Sequence, residues 1–377
     1  MTRILWHSTA PWDGTGYGTQ TATWTKYLAS RGHDVAISAY HGSPGVFTTW
    51  QGIPVYPPPL AGPAPELVRG HAEMHKAELV IILADVWAIN PKLLDGFNVA
   101  VWLPTDTDKI SLLDYSYLSQ ARPKLIAMSL DGKAKLERAG FSDVHYIPHG
   151  IDTGLFAPPP DREAVRAAHG LGPSTFAIGI NANNIDPVRK AYPEQMMAFA
   201  RFHGKHPDSV LFIHTIARMV AEGSLDLEVL ATDLKITDSI RFCNQYTHLS
   251  GGYTAEDMAA WYAAMDVISN VTYGEGFGLP AVEAQACGTP VIVADGTTGR
   301  QLAGPAKWLV RTQPWFNRRH GAWWHVPIID SLVMRYEQAH AARGSASLRE
   351  RCRTFALEYS TERVAPMWDE VIPKLTS

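Results

Sequence analysis

Two glutamates, Glu275 and Glu283, bracket Gly276, Phe277, Gly278, Leu279 and Pro280 in "YGEGFGLPAVEAQACGTPVI", and two adjacent cations, Arg189 and Lys190, stand in "NANNIDPVRKAYPEQ". Cations beside free backbone amides can hold a diphosphate, whereas a carboxylate repels an anion and instead accepts hydrogen bonds from hydroxyls. Carboxylates set beside an anion site therefore suit a sugar nucleotide. Spacing alone leaves open an ordinary loop, helix and strand with two solvated glutamates, and an Arg-Lys pair that is simply surface.

The elements that must position these groups follow from local pattern. Proline's locked φ and missing donor suit a first helical turn, so a helix is expected from near Pro280 through Cys287, closed by Gly288. The amides of Gly276, Phe277, Gly278 and Leu279 then lie at its N-terminus, where unpaired donors and the helix dipole favour an anion. Glu275 falls in the loop and Glu283 one turn into the helix. Arg189 and Lys190 precede another helix, after the strand "TFAIGINAN".

Further out, the chain opens with a βαβ pattern: strand "RILWHSTA", glycine loop "DGTGYG", helix "TQTATWTKYLASRG" and strand "HDVAISAY". Strands at "GIPVYP", "AELVIILAD", "NVAVWLP", "KLIAMS" and "VHYIPHG", with helices near 66–77 and 130–139, predict an α/β domain with a parallel, doubly wound sheet. The proline- and glycine-rich "IDTGLFAPPPDREAVRAAHGLGPS" marks a boundary near 152. A second Rossmann-like sheet is expected beyond it, so the domains are placed at 1–152 and 153–350, with helices in 351–377 packing back on the first. Open α/β sheets bind ligands at their carboxyl edges, so two facing sheets make a cleft.

Several residues are candidates for lining that cleft. Gly14, Gly16 and Gly18 could bring backbone near a ligand or form a tight turn. They do not make a dinucleotide fingerprint, because the second strand ends Ser38, Ala39, Tyr40, His41 without the acidic residue that motif needs. Asp106 and Asp108 follow a strand end in "VAVWLPTDTD" and could orient an acceptor hydroxyl or cap a helix. His149 sits at the boundary as a linker residue or a base. Trp308, Trp315, Phe316, Trp323 and Trp324 could stack on sugars or bases, or pack a core.

Composition narrows the classes. Of 377 residues, 46% are hydrophobic and 19% charged, and the net charge of -4 gives no global attraction to nucleic acid or anionic membrane. The segment from 300 onward is locally basic through Arg311, Arg318, Arg319, Arg349, Arg351 and Arg353, reading as solvated surface or cover for the acidic middle. Cys243, Cys287 and Cys352 are odd in number and lack metal-like spacing, so neither a disulfide frame nor a metal site is expected and the cytoplasm is the expected location. No apolar run approaches the ~20 residues of a membrane span. Hydrolase and metalloenzyme motifs are missing.

Taken together, "DSIRFCNQY…TAEDMAAWYAAMDVISNVTYGEGFGLPAVEAQACGTPVIVADGTTG" resembles the retaining glycosyltransferases of the GT-B fold, specifically glycosyltransferase family 4. "VHYIPHGIDTGLFAP" resembles its interdomain stretch and "SRGHDV" its N-terminal domain. The resemblance implies that Glu283 binds ribose hydroxyls, that Glu275 with the amides of Gly276, Phe277 and Gly278 holds donor sugar and phosphate, and that Arg189 and Lys190 neutralise the leaving diphosphate. It also implies a nucleoside-diphosphate-sugar donor, no metal or other cofactor, and retention by front-face attack. Many relatives carry a histidine where this chain has "LPTD", which makes Asp106 the candidate on the acceptor side. Many also carry an arginine where it reads "NANN", so that Asn183 or Asn184 is expected to substitute. The expected acceptor is a hydroxyl of a saccharide, glycolipid or small metabolite. Alternatives are hydroxylated bases in DNA, a sugar-nucleotide epimerase and a non-catalytic binding module.

Overall fold

The structure, a computed structural model, describes residues 1–42, 45–58, 66–86, 94–218 and 223–376. The first sheet is built from β1 (Arg3–Thr9), β2 (Asp34–His41), β3 (Thr48–Trp50), β4 (Ile53–Tyr56), β5 (Leu79–Ile82), β6 (Val99–Leu103), β7 (Lys124–Ala127) and β8 (His145–Tyr146). Their order is β3-β4-β2-β1-β5-β6-β7-β8, and every pairing is parallel except β3 with β4. The central strands are buried on both faces, which is why "RILWHST" and "LVII" read as continuous apolar runs rather than alternating ones.

The second sheet contains β9 (Phe176–Asn181), β10 (Ser209–His214), β11 (Ile240–Phe242), β12 (Val267–Asn270), β13 (Val291–Ala294) and β14 (Trp308–Val310). It is wholly parallel, in the order β11-β10-β9-β12-β13-β14. An antiparallel hairpin, β15 (Thr312–Asn317) and β16 (Ala322–Pro327), stands apart from both sheets. The two doubly wound sheets expected from the alternating pattern are therefore present. β14 and the hairpin were not predicted, because the aromatic stretch has no clean period of two: Trp324 is buried while Trp315, Phe316 and Trp323 are 43%, 45% and 41% exposed.

The C-terminal helix Thr361–Thr376 leaves the second half and docks on the first. Its Trp368 is fully buried between Trp6, Trp24 and Trp102, with ring centroids 5.5, 5.9 and 5.1 Å away. Asp369 accepts from Tyr27 Oη at 2.8 Å and pairs with Arg31 at 3.2 Å. The helix thereby straps the two halves together. The preceding helix Ala346–Ala356 stays with the second half, where Arg353 donates to the carbonyls of Thr153, Phe156 and Ala286.

Candidate functional site

The helix expected after the glycine loop spans Leu279–Ala286, with Pro280 in its first turn and Gly278 as its N-cap at φ 106°, a left-handed conformation that disfavours any residue with a Cβ. Among the described residues, the amides of Gly276, Phe277, Gly278 and Leu279 have no hydrogen-bond partner. The amide of Glu275 does not share this freedom, since it donates to Thr297 Oγ1 at 3.2 Å. Thr298 Oγ1 donates to Phe277 O at 2.7 Å, so the "GTTG" turn after β13 braces the loop from behind.

Arg189 and Lys190 arrive from the neighbouring strand. Asp186 Oδ1 accepts from the amides of Val188 and Arg189, and this turn presents both cations ahead of the helix Tyr192–His203. Lys190 Nζ meets Glu275 Oε2 at 2.7 Å and Arg189 Nη1 lies 3.8 Å from Oε1. Burial by itself would raise the Glu275 carboxyl, but Lys190 and then Arg189 hold it below its ordinary value. Burial, followed by repulsion from Arg189, lowers the Lys190 ammonium. A bound diphosphate would relieve that repulsion.

Glu283 lies deeper. Its Oε2 accepts from Tyr262 Oη at 2.9 Å, and Tyr262 Oη accepts in turn from Asn181 Nδ2 at 2.7 Å. Burial lifts the Glu283 carboxyl to about 7, with only the tyrosine hydrogen bond opposing. Tyr262 and Asn181 were not anticipated. Asn181 ends β9, but the sequence gives no sign that its amide reaches a helix some eighty positions on. The asparagines that were anticipated behave differently: Asn184 spends its side chain on Ile216 O, Leu225 O and Leu225 N, while Asn183 is exposed.

The first half meets this loop at very close range. A Cβ on Gly274 would lie 1.8 Å from Asp106 O, and one on Gly276 would lie 2.4 Å from Pro104 Cβ, so the "LPTD" turn and the "YGEG" turn touch backbone to backbone. Gly16 faces Leu279, whose Cδ1 stands 3.2 Å from where a Cβ would be, whereas open space surrounds Gly14. Gly16 begins the helix Gly16–Ser30, three residues earlier than expected, because Thr15 caps it by accepting from Gly18 N. Asp108 is occupied: its Oδ1 accepts from Trp323 N at 2.8 Å and its own amide donates to Trp323 O at 3.0 Å, pinning the aromatic hairpin to the first half. His149 is buried between Trp102 and Phe277, with ring centroids 4.8 and 4.9 Å away, and neither ring nitrogen has a partner. Burial drops its pKa to about 3, so it stays neutral.

Asp85 is a site residue that the motif reading passed over. It follows β5 as Asp106 follows β6, and the two strands are neighbours, so both carboxylates reach the same edge. Burial raises the Asp85 carboxyl to about 6, Asp106 adds to the rise, and Arg189 opposes it from across the cleft. The Tyr17 phenol is raised by burial first, then by Asp85 and Tyr40. The available signal was the repeated pattern of an apolar strand ending in aspartate.

The whole chain superimposes on GT-B glycosyltransferase structures: sucrose-phosphate synthase from Thermosynechococcus elongatus (TM-score 0.75, 18% identity, 99% of each chain) and WaaG, of lipopolysaccharide biosynthesis (TM-score 0.72, 14% identity, 98% and 99%). Anabaena Alr3699/HepE, solved with UDP and glucose, aligns with TM-score 0.72 at 16% identity over 99% of this chain and all of that one. The fold is GT-B. Residues 195–314 match the family described as Glycosyl transferases group 1. A D-inositol 3-phosphate glycosyltransferase of Mycobacterium sp. (strain KMS) is 30% identical over 237 residues, which are 60% of this chain and 45% of the relative. That of Pseudarthrobacter chlorophenolicus is 32% identical over 155 residues, 41% and 34%. The chain thus spans less than half the length of these two curated relatives.

Proposed function

We propose that the protein transfers a hexose from a nucleoside-diphosphate sugar to an acceptor hydroxyl, with retention of anomeric configuration. The observation that carries this reading is the cluster of unpartnered amides at 276–279 beside Arg189 and Lys190, at the mouth of the cleft between the two sheets. Amides and cations would bind the diphosphate and stabilise the charge that grows on it as the glycosidic bond breaks. Glu275 would accept from sugar hydroxyls and Glu283 from the ribose diol. Asp106, on the turn pressed against Gly274, would border the sugar.

Retention fits a donor wall on which neither Glu275 nor His149 is placed as a free nucleophile. Glu275 is already engaged by two cations, and His149 is neutral and walled in by aromatic rings. Front-face attack, with the departing phosphate taking the acceptor proton, needs only the groups present. The donor-binding unit is placed at 153–350, and within the segment 351–377 the helix Thr361–Thr376 carries the contact with the first half. No described helix is long and apolar enough to cross a membrane, and we place the enzyme in the cytoplasm.

The acceptor side favours a neutral polyhydroxylated molecule. The curated relatives are named for inositol 3-phosphate, a polyol phosphate. Here the first-sheet edge presents Asp85 and Asp106, which would bind hydroxyls and repel a phosphate. The reading is tested by incubating the protein with UDP-, GDP- and ADP-sugars and an acceptor panel, following nucleoside diphosphate release and product stereochemistry. Turnover with one donor and a neutral polyol, faster than with its phosphate ester, is expected. A new sugar nucleotide formed from donor alone would identify an epimerase, and no release with any acceptor would identify a binding module.

A further inference from the structure

Away from the donor loop, three side chains with soft and borderline donor atoms converge on the outer part of the second sheet. His214 ends β10, Cys243 follows β11, and His248 lies on the short helix Gln245–Leu249. One donor atom from each falls within 4.8 Å of the others. His214 and Cys243 are 6% and 5% exposed, and His248 is half-buried. His214 Nε2 is buried without a hydrogen-bond partner, and its ring stands edge-to-face against that of His248 at 5.2 Å. The Cys243 sulfur has weak contacts alone, donating to Thr215 O at 3.5 Å and accepting from Gln245 Nε2 at 3.8 Å. A buried imidazole nitrogen without a partner, a thiol with weak partners and a second imidazole opening to solvent form an unusual grouping, because buried polar atoms ordinarily find partners.

We propose that His214, Cys243 and His248 bind a divalent ion of the zinc class. Imidazole and thiolate are the ligands that class prefers, and three protein ligands leave a fourth position for water. Zinc-ligand lengths put donor atoms in a tetrahedral shell roughly 3.3–3.6 Å apart, so the cluster must contract by about 1 Å. His248 can supply that movement, since it sits on a five-residue helix whose Tyr246 and Leu249 are 82% and 59% exposed. On binding, the Cys243 thiol loses its proton to solvent and the thiolate forms the metal-sulfur bond. Hydrogen bonds already frame the site: Gln245 Nε2 donates to Thr215 O at 3.0 Å, Gln245 Oε1 accepts from Ala217 N at 2.8 Å, and Tyr253 Oη accepts from Asn244 N at 2.8 Å. The metal would clasp the helix Gln245–Leu249 to the sheet edge. No metal-like spacing was expected for the cysteines, because these ligands lie on separate elements that meet only through the pairing of β10 with β11.

The test uses the full chain, stripped with a chelator and desalted, without nucleotide. Cobalt(II) should give thiolate-to-metal absorption with tetrahedral visible bands, saturating at one ion per chain. Zinc should displace it stoichiometrically and raise the melting temperature. Cys243→Ser should abolish the thiolate band. His248→Ala, on a short helix with exposed neighbours, should keep the fold and weaken cobalt binding by more than about tenfold, since losing even a residue that only hydrogen-bonds to a metal ligand costs that much. Absence of a thiolate band in the wild type, or a band of equal affinity in His248→Ala, would overturn the proposal. So would zinc addition that leaves the melting temperature unmoved.

Discussion

The two sheet edges that face each other across the cleft carry opposite chemistry. The second presents Arg189, Lys190 and unpartnered amides, while the first presents Asp85 and Asp106. Their backbones nonetheless come together at Gly274 and Gly276, where a Cβ would collide. The difference teaches how one cleft could handle an anion and a polyol at once: charge would sort the proposed substrates to opposite walls, and glycine allows the walls to approach. The ion pair between Lys190 and Glu275 fits this division, because an internal carboxylate balances the cations on the donor wall.

The comparison can be broken most severely at the cations. Arg189→Ala with Lys190→Ala should lower kcat by about 10²–10³ for each donor removed, and donor affinity by less, if the pair acts on developing charge. Steady-state kinetics beside direct donor titration separates the two effects, and equal losses would mean binding alone. Next in size, Gly274→Ala forces the walls apart; overpacking of this kind typically costs about 1–3 kcal/mol, which should lower both the melting temperature and kcat. A variant as stable and active as the wild type would refute the backbone contact.

The acceptor wall is sharpened by Asp85→Asn. Losing a hydrogen bond to a charged group is worth about 1.5–3 kcal/mol, so acceptor KM should rise by roughly 10- to 100-fold while donor hydrolysis stays unchanged. A rise in donor KM instead would move Asp85 to the other wall. Smallest and most diagnostic is the pH dependence of Glu283. Burial lifts its carboxyl to about 7, and the ionised form accepts from a diol more strongly than the neutral one, so donor affinity should rise with pH through about 7 and then level. Unliganded stability should run the opposite way. Burial raises the folded-state value above the ordinary 4.5, so the stabilisation is complete below about 4.5 and is lost as pH climbs through about 7. Glu283→Gln should flatten both profiles, as followed by titration calorimetry and thermal melts.

The alternation of strands and helices, and the loop from Glu275 to Glu283, were legible in the sequence because each rests on local signals: continuous apolar runs, Pro280 at a helix start, glycine at its cap. The cations were legible only through their position after β9. What stayed hidden depends on pairing between distant strands. Asp85 gains meaning only when β5 lies beside β6, and the chain from Asn181 to Glu283 only when Tyr262 comes between the end of β9 and the helix Leu279–Ala286. Asp108 looked like a cleft residue because it follows a strand end, yet its carboxylate is taken by Trp323 of a hairpin that the aromatic stretch concealed. Between Asn183 and Asn184, spacing could not tell which would be exposed and which would be consumed by Ile216 and Leu225.

The claim on which the rest depends is that the second-sheet edge holds a nucleoside diphosphate. Calorimetric titration of UDP-, GDP- and ADP-sugars into the wild type and into Glu283→Ala tests it directly. At least one donor should bind the wild type, with an affinity reduced by about 1–3 kcal/mol in the variant, where ribose hydroxyls lose a buried partner. Binding of no sugar nucleotide, or binding of equal strength to both proteins, would contradict it.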